Sequence, residues 1–259
     1  MADDLVSVVL AAGAGTRLRP LTTFLPKALC PINNVPLVDL ALARAGRVTP
    51  DVAVNVHHWR ELMETHLAGR AHVSVEDHEA LGTAGALGNL REWIAGRDVL
   101  VINADAWHNE DLTAFVEDWD RERIRLLCVD DAARGDFGSL RLAGAALMPW
   151  DDVATLEPVP SGLYEVSWQR AEREGRLDLV VSETPFFDCG TIPEYHAANM
   201  AASGGHNVIG SGAVVEGSIE RTVLWPDVHV WSNERLVGAI RPKDGVTLVA
   251  EPAGVGDAV

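Results

Sequence analysis

Apolar residues first gather from Leu5 to Leu10, broken only by Ser7, a stretch that reads as a strand buried on both faces. After a glycine-bearing stretch, Pro36 to Ala45 sets Leu37, Leu40, Ala41 and Ala45 along one helical face. Val52 to Val56 predicts a second buried strand, Trp59 to Leu67 a second helix and His72 to Val75 a short third strand. Val99 to Asn103 is the most apolar strand of all and belongs at the centre of the sheet. A helix over Glu110 to Trp119, strands over Ile124 to Val129 and Leu142 to Met148, and helices over Leu163 to Glu174 and Pro193 to Ala202 complete the pattern. Tyr164 and Trp168 on the penultimate helix read as core. Strand, helix, strand is the rhythm of an α/β doubly wound sheet, which places ligands at the carboxyl ends of its strands.

Past Gly204 the texture changes. Asn207 to Ile219 and Thr222 to Val230 place small or branched apolar residues about six apart, with Gly and Asn at the corners, the pattern of a hexapeptide parallel β-helix. About two coils are present, fewer than the roughly three that stand alone, so this tail is expected to pack on the rest of the chain or on another copy. The expected division is a catalytic domain over 1–204 and a tail over 205–259, the tail being structural or oligomeric, with a regulatory ligand site as the alternative.

The 259 residues are 47% apolar, enough for a substantial core, and carry a formal charge of −17. Nucleic acid and anionic membranes repel such a surface, so neither is an expected partner. No run approaches the ~18 apolar residues of a membrane span, and the acidic start Met1-Ala-Asp-Asp is unlike a signal peptide, which makes the cytoplasm the expected location. Cys30, Cys128 and Cys189 are odd in number and widely spaced, as free thiols of a reducing compartment are.

The candidate chemistry centres on Leu10-Ala-Ala-Gly-Ala-Gly-Thr-Arg-Leu-Arg-Pro-Leu-Thr-Thr-Phe-Leu-Pro-Lys27. Gly13 and Gly15 let the backbone turn with no Cβ in the way, so successive N–H groups face an anion, while Thr16, Arg17 and Lys27 add donors and positive charge. That describes a polyphosphate cradle. It lacks both the Lys-Ser/Thr pair of a Walker loop and the third glycine of the dinucleotide fingerprint. A second turn carries Gly82, Thr83 and Gly85 ahead of a helix, where backbone and hydroxyl groups approach a ligand or Thr83 caps the helix. Asp105 stands just past the central strand with no basic neighbour in sequence and suits a hard divalent cation, its plain alternative being a helix-capping or solvated aspartate. Gly144 inside a strand marks a close approach or a bulge. His57 and His58 point opposite ways on an extended segment, so rim or packing contacts are expected of them and not a shared metal.

The stretch Gly13 to Lys27 resembles the GxGTRLxPLTxxxPK signature of the sugar-1-phosphate nucleotidyltransferases, which convert a sugar 1-phosphate and a nucleoside triphosphate to a nucleoside-diphosphate sugar and pyrophosphate. The resemblance implies a Rossmann-like doubly wound mixed sheet of the nucleotide-diphospho-sugar transferase type and a left-handed hand for the tail. It implies that Ala11, Ala12, Gly13, Ala14, Gly15 and Thr16, with Gly82 and Thr83 of a segment similar to the family's LGTAG, hold the nucleotide. Arg17 and Lys27 are then catalytic. Asp105 falls where the family writes NGD, with Ala104 for the glycine. Asp188 falls in Phe186 to Tyr195, similar to the WxDxGTPEDY box with Ile192 inserted, and its plain alternative is helix capping with Thr191. The two carboxylates would be the ligands of Mg²⁺, while Asn103, Gly144 and Arg134 would meet the sugar phosphate.

The chain also departs from the larger members of that family. The hairpin bearing Glu-Lys-Pro is missing, and no lysine occurs between Lys27 and Lys243. Sugar-phosphate binding falls instead to Arg134, Arg141, Lys27 or backbone donors. Arg134 to Phe137 resembles the compact N-acetylmuramate-1-phosphate uridylyltransferases, whereas Arg-Pro-Leu-Thr with Pro-Lys and a short β-helix tail resemble the mannose-1-phosphate guanylyltransferase branch, the favoured reading. Uridylyl or thymidylyl transfer to another sugar is the alternative within the class. A catalytically silent paralogue that binds nucleotide sugar is the alternative outside it. The partners implied are a nucleoside triphosphate, a sugar 1-phosphate and a second copy of the chain joined through the tail.

Overall fold

Seven strands build the main sheet of the computed structural model, which describes residues 4–250; the first three residues of the acidic start and the last nine of the tail lie outside the described residues. These strands are β1 (Leu5–Leu10), β2 (Val52–Val56), β3 (His72–Val75), β4 (Asp98–Asn103), β5 (Ile124–Asp130), β6 (Leu140–Met148) and β7 (Leu177–Val181), in the order β7-β5-β6-β4-β1-β2-β3. All neighbours are parallel except β6, which runs antiparallel to both β4 and β5. The sheet is thus mixed and mostly parallel, with the apolar strand β4 in the middle as its composition requires. Val52, Val54 and Val56 are buried with the whole of β2, as expected of a parallel strand covered on both faces.

Helices α1 (Leu37–Val48), α2 (Arg60–Leu67), α3 (Gly82–Asn89) and α4 (Leu112–Glu117) alternate with these strands. The helix α4 is shorter than its apolar pattern suggests because Asp111 caps it, accepting the Thr113 N–H at 3.0 Å. The segment expected to be a single helix over 163–174 begins instead as a π turn, Tyr164–Trp168, before α5 (Gln169–Arg173). Its first N–H, from Leu163, donates to Thr83 Oγ1 at 2.8 Å. Thr83 therefore does not cap its own helix; it caps the next one.

The chain divides into two compact units. One comprises the chain up to Ala14 with Val38–Phe186, and the other Gly15–Leu37 with the chain from Phe187 onward. The cuts differ from a division after residue 204. In the second unit α6 (Ile192–Ala202) and the tail share a core with the excursion 15–37, and fully buried Tyr195 of α6 accepts the Trp225 indole N–H at 3.1 Å. The tail itself consists of short parallel ladders. Val208 pairs with Val223 and Val223 with Ile240, while Val214 pairs with His229 and Ile219 with Leu236, around Leu224, Val228 and Val230. An antiparallel return, Val246–Val249 on Ala239–Lys243, closes it. There the buried Arg241 meets both Glu234 oxygens at 2.7 and 2.6 Å and holds that carboxyl down at about 2. No described helix is long and apolar enough to cross a membrane.

One buried histidine gives the first unit a pH dependence. His108 is 5% exposed, its Nδ1 accepts the Glu110 N–H at 3.2 Å, and burial followed by the nearby Arg44 pushes its pKa down from 6.5 to about 3. The folded chain refuses a proton that the unfolded chain accepts, so this contribution is complete above pH 6.5 and is lost as pH falls toward 3. In His108→Asn, Oδ1 takes the place of Nδ1. Urea unfolding from pH 8 to 4 should show wild type losing stability relative to the variant below pH 6.5, by at most ~1.4 kcal/mol per pH unit. A difference that stays constant across that range would refute the assignment.

Candidate active site

Strands β1 and β4 end level with one another, Leu10 paired with Asn103, and the Ala104 N–H donates to the Leu10 carbonyl at 3.0 Å. The chain leaving β1, the turn ahead of α3 and the chain leaving β4 consequently meet at one edge of the sheet. There Gly13, Gly82, Thr83, Asn103 and Asp105, with Asn55 of β2, line a pocket of about 220 Å³. A second pocket of about 280 Å³ shares Leu10, Thr83 and Asn103 with it and extends along β6 past Gly144 to the π turn. Three motifs distant in sequence converge here, at the carboxyl ends where open α/β sheets bind ligands.

The two glycines of the loop serve different ends. Gly15 has φ +60°, and a Cβ there would stand 2.8 Å from Thr22 Cγ2 and 2.9 Å from Lys27 Cβ. Thr22 Oγ1 donates back to the Gly15 carbonyl at 3.0 Å, so the turn is fixed against the stem of the lysine. Gly13 has nothing within 4 Å of its absent Cβ and its φ is not positive. Its small size leaves open room at the pocket wall.

Within the second unit, Thr16 and Arg17 lie in a short 3₁₀ turn, Thr16–Leu18, and Lys27 opens another, Lys27–Leu29. Lys27 Nζ and Arg17 Nη2 each stand 3.8 Å from an oxygen of Asp188. The lysine side chain is 10% exposed and the arginine 69%. Gly190 admits this pairing, since a Cβ there would lie 2.9 Å from Asp188 Oδ1 and 3.0 Å from Arg17 Nη2. Two cations thus flank one carboxylate. Thr191 caps α6, its Oγ1 accepting the Glu194 N–H at 3.4 Å.

Other expected residues turn out to be committed to the fold. The Ala11 N–H donates to Asn55 Oδ1 at 2.7 Å, and the Ala12 carbonyl lies 3.3 Å from His58 Nδ1. His57 Nδ1 lies 2.7 Å from the Glu76 carbonyl, a packing contact as expected. Gly82 and Gly85 spare room for protein as well as for any ligand: a Cβ on Gly82 would stand 2.5 Å from the Ser161 carbonyl, and one on Gly85 would overlap the Val159 carbonyl. Gly144, at φ +80°, sits where the register of β6 on β5 shifts, and a Cβ there would overlap that of Ala106. It is both a bulge and a close approach, and it lines the second pocket. Arg134 and Arg141 are tied to Asp131 at 2.9 and 3.6 Å, and neither lines either pocket.

Asn55 and Glu76 escape a reading by motif. Glu76, 3% exposed, accepts the Asn55 amide at 2.8 Å on one oxygen and the Leu81 N–H at 2.8 Å on the other. The chain Ala11–Asn55–Glu76–Leu81 therefore ties the two loops that flank the first pocket. A lone amide in the otherwise apolar run Val52-Ala-Val-Asn-Val56 is the signal that marks it.

Residues 6–143 match the family model described as nucleotidyl transferase. Over 225 residues the chain is 28% identical to an N-acetylmuramate alpha-1-phosphate uridylyltransferase of Caulobacter vibrioides, an alignment covering 73% of this chain and 88% of that protein. It is 38% identical over 110 residues to a mannose-1-phosphate guanyltransferase of Hypocrea jecorina, covering 38% of this chain and 29% of the other. A solved structure from Thermus thermophilus, described as a mannose-1-phosphate geranyltransferase, superposes with a TM-score of 0.69 over 95% of both chains at 17% identity.

Substitution by alanine should separate the two loop glycines. Gly15→Ala places a side chain at positive φ against Lys27 and should cost about 2–4 kcal/mol in urea unfolding. Gly13→Ala should unfold within about 0.5 kcal/mol of wild type, because its new methyl meets nothing. Equal losses in the two variants would contradict this division of roles.

Proposed function

Because the chain belongs to the nucleotidyl transferase family, with residues 6–143 spanning its signature loop, we propose that it transfers a nucleoside monophosphate from a triphosphate to a sugar 1-phosphate, releasing pyrophosphate. The observation that carries the proposal is the convergence of Gly13, Thr83 and Asp105 on one pocket at the carboxyl ends of β1 and β4. An attacking phosphate is already anionic at neutral pH, so this transfer needs no general base. The difficulty is repulsion between two polyanions within a chain of charge −17. Position and charge compensation are what the protein supplies in such reactions. Arg17 draws charge off the leaving pyrophosphate, and Lys27 bridges the α-phosphate and the attacking group. The nucleotide lies against the loop 11–16 and the Gly82–Thr83 turn, and the sugar phosphate against Asn103 and Gly144.

Asp105 and Asp188 are the residues assigned to Mg²⁺. Their donor set is all oxygen, as a hard cation requires. When bound, Mg²⁺ neutralises phosphate charge. Mannose 1-phosphate with GTP is the favoured pair, and a left-handed coil for the tail belongs to the same proposal. Uridylyl transfer is the second reading, which the 28% identity to the Caulobacter vibrioides enzyme favours.

Pyrophosphate release across a panel of triphosphates and sugar 1-phosphates tests the transfer. Activity should disappear with EDTA and return with Mg²⁺. Lys27→Ala and Asp105→Ala should each lower turnover on the order of 100-fold, as loss of one preorganised charge commonly does. Binding of nucleotide sugar with no pyrophosphate from any pair would point to a silent paralogue. An undiminished Asp105→Ala enzyme at saturating Mg²⁺ would remove the metal assignment.

A further inference from the structure

The second pocket carries charge of one sign. Glu165 and Tyr164 of the π turn, buried Trp168, Gly144, Leu142 and Asn103 all line it, and its lining includes no lysine, arginine or histidine. Arg134 and Arg141 are both paired with Asp131, and the Arg141 guanidinium also lies over the Phe186 ring at 5.2 Å. At about 280 Å³ the space is just below the range of ~300–1,000 Å³ typical of drug-sized ligands, which suits one sugar ring.

The Glu165 carboxylate is held back toward the start of its own turn, where it fills the position that a Cβ on Gly162 would occupy. Any larger residue at 162 would evict it. Trp168 is 7% exposed, and its indole N–H has no hydrogen-bond partner among the described residues. A buried donor left unmatched costs free energy that an acceptor on a ligand would recover. An acceptor-only carboxylate and a donor-only indole beside an apolar wall of Leu142, Ala145 and Leu163 match a ring whose hydroxyls both donate and accept and whose C–H faces are apolar.

Resting on the transfer proposed above, we infer that Glu165 makes this pocket select sugar 1-phosphates with an uncharged ring over those whose ring bears a carboxylate. A carboxylate on the sugar would enter beside Glu165 with no cation in the lining to offset the repulsion. Like-charge juxtaposition in a partly enclosed site is a strong means of rejecting a wrong ligand. By this reasoning the chain parts from the N-acetylmuramate enzyme it resembles, because N-acetylmuramate carries a carboxylate.

The full chain should be assayed for pyrophosphate release with two matched pairs that differ only at C6, glucose against glucuronate 1-phosphate and mannose against mannuronate 1-phosphate. Wild type should favour the neutral member by roughly tenfold or more in kcat/KM. Glu165→Gln keeps the shape and lies at an exposed position, so it should fold. It should shrink that preference roughly tenfold and raise KM for the neutral sugar while leaving KM for the triphosphate unchanged. Trp168→Phe keeps an aromatic side chain but loses the N–H together with the five-membered ring, and should raise sugar KM several-fold. Equal or better use of the acidic member by wild type, or a preference unmoved in Glu165→Gln, overturns the inference while transfer stands. No pyrophosphate from any sugar 1-phosphate with any triphosphate overturns the transfer itself.

Discussion

The geometry of the first unit depends on a close approach between two backbones. Gly82, Gly85 and Gly88 recur every third residue of α3, and residues 157–161 lie against the ridge they leave bare, so closely that side chains at 85 or 88 would overlap Val159 and Glu157. The contact is fastened by the Ala84 N–H to the Ser161 carbonyl and the Ser161 N–H to the Leu81 carbonyl, both at 3.0 Å. Two residues further on, Leu163 donates to Thr83 and the π turn begins. Thr83 lines both pockets, so one side chain sets the start of the helix that carries Tyr164, Glu165 and Trp168. The wall of the second pocket is in this way registered on the floor of the first.

Charge is handled differently in the two units. In the first, the two oxygens of the buried Glu76 accept hydrogen bonds from an amide and a backbone N–H. They orient Asn55 so that its oxygen, not its amide nitrogen, faces Ala11. The Ala11 N–H is thereby withdrawn from any ligand, and the approach of an anion to this loop rests on the residues after it. In the second unit Asp188 is flanked by two cations, Arg17 and Lys27.

Most strands and helices were legible because apolar runs and helical faces are written locally, and β4 stands at the centre, as its uninterrupted apolar run implies; the edge strand β7 was not, its short apolar stretch being broken by Asp178. The glycine loop was legible as a motif but not as a mechanism. Gly13 and Gly15 look alike in sequence, and only the packing of Thr22 and Lys27 against one of them distinguishes a glycine needed by the fold from one that leaves room at a pocket. Gly85 and Gly88 were illegible for the same reason, since the chain that needs them lies about 70 residues away. Nor does local pattern reveal the π turn: the apolar spacing of Leu163, Trp168 and Ala171 is compatible with an ordinary helix. Glu165 and Gly162 gain meaning only once the carboxylate is seen to fill the glycine's empty side.

The short ladders of the tail pack on other segments of the same unit. Tyr195 donates to the Pro31 carbonyl and accepts from Trp225, His196 Nε2 lies 2.7 Å from the Arg221 carbonyl, and Asn199 Oδ1 accepts the Asn33 N–H at 2.9 Å. Pro31 and Asn33 end the excursion that begins at Gly15 and carries Arg17 and Lys27. Residues that hold the tail thus also hold the stretch that carries the lysine. Support of that loop is accordingly a sufficient reason for the tail to exist, whether or not it also joins two copies of the chain.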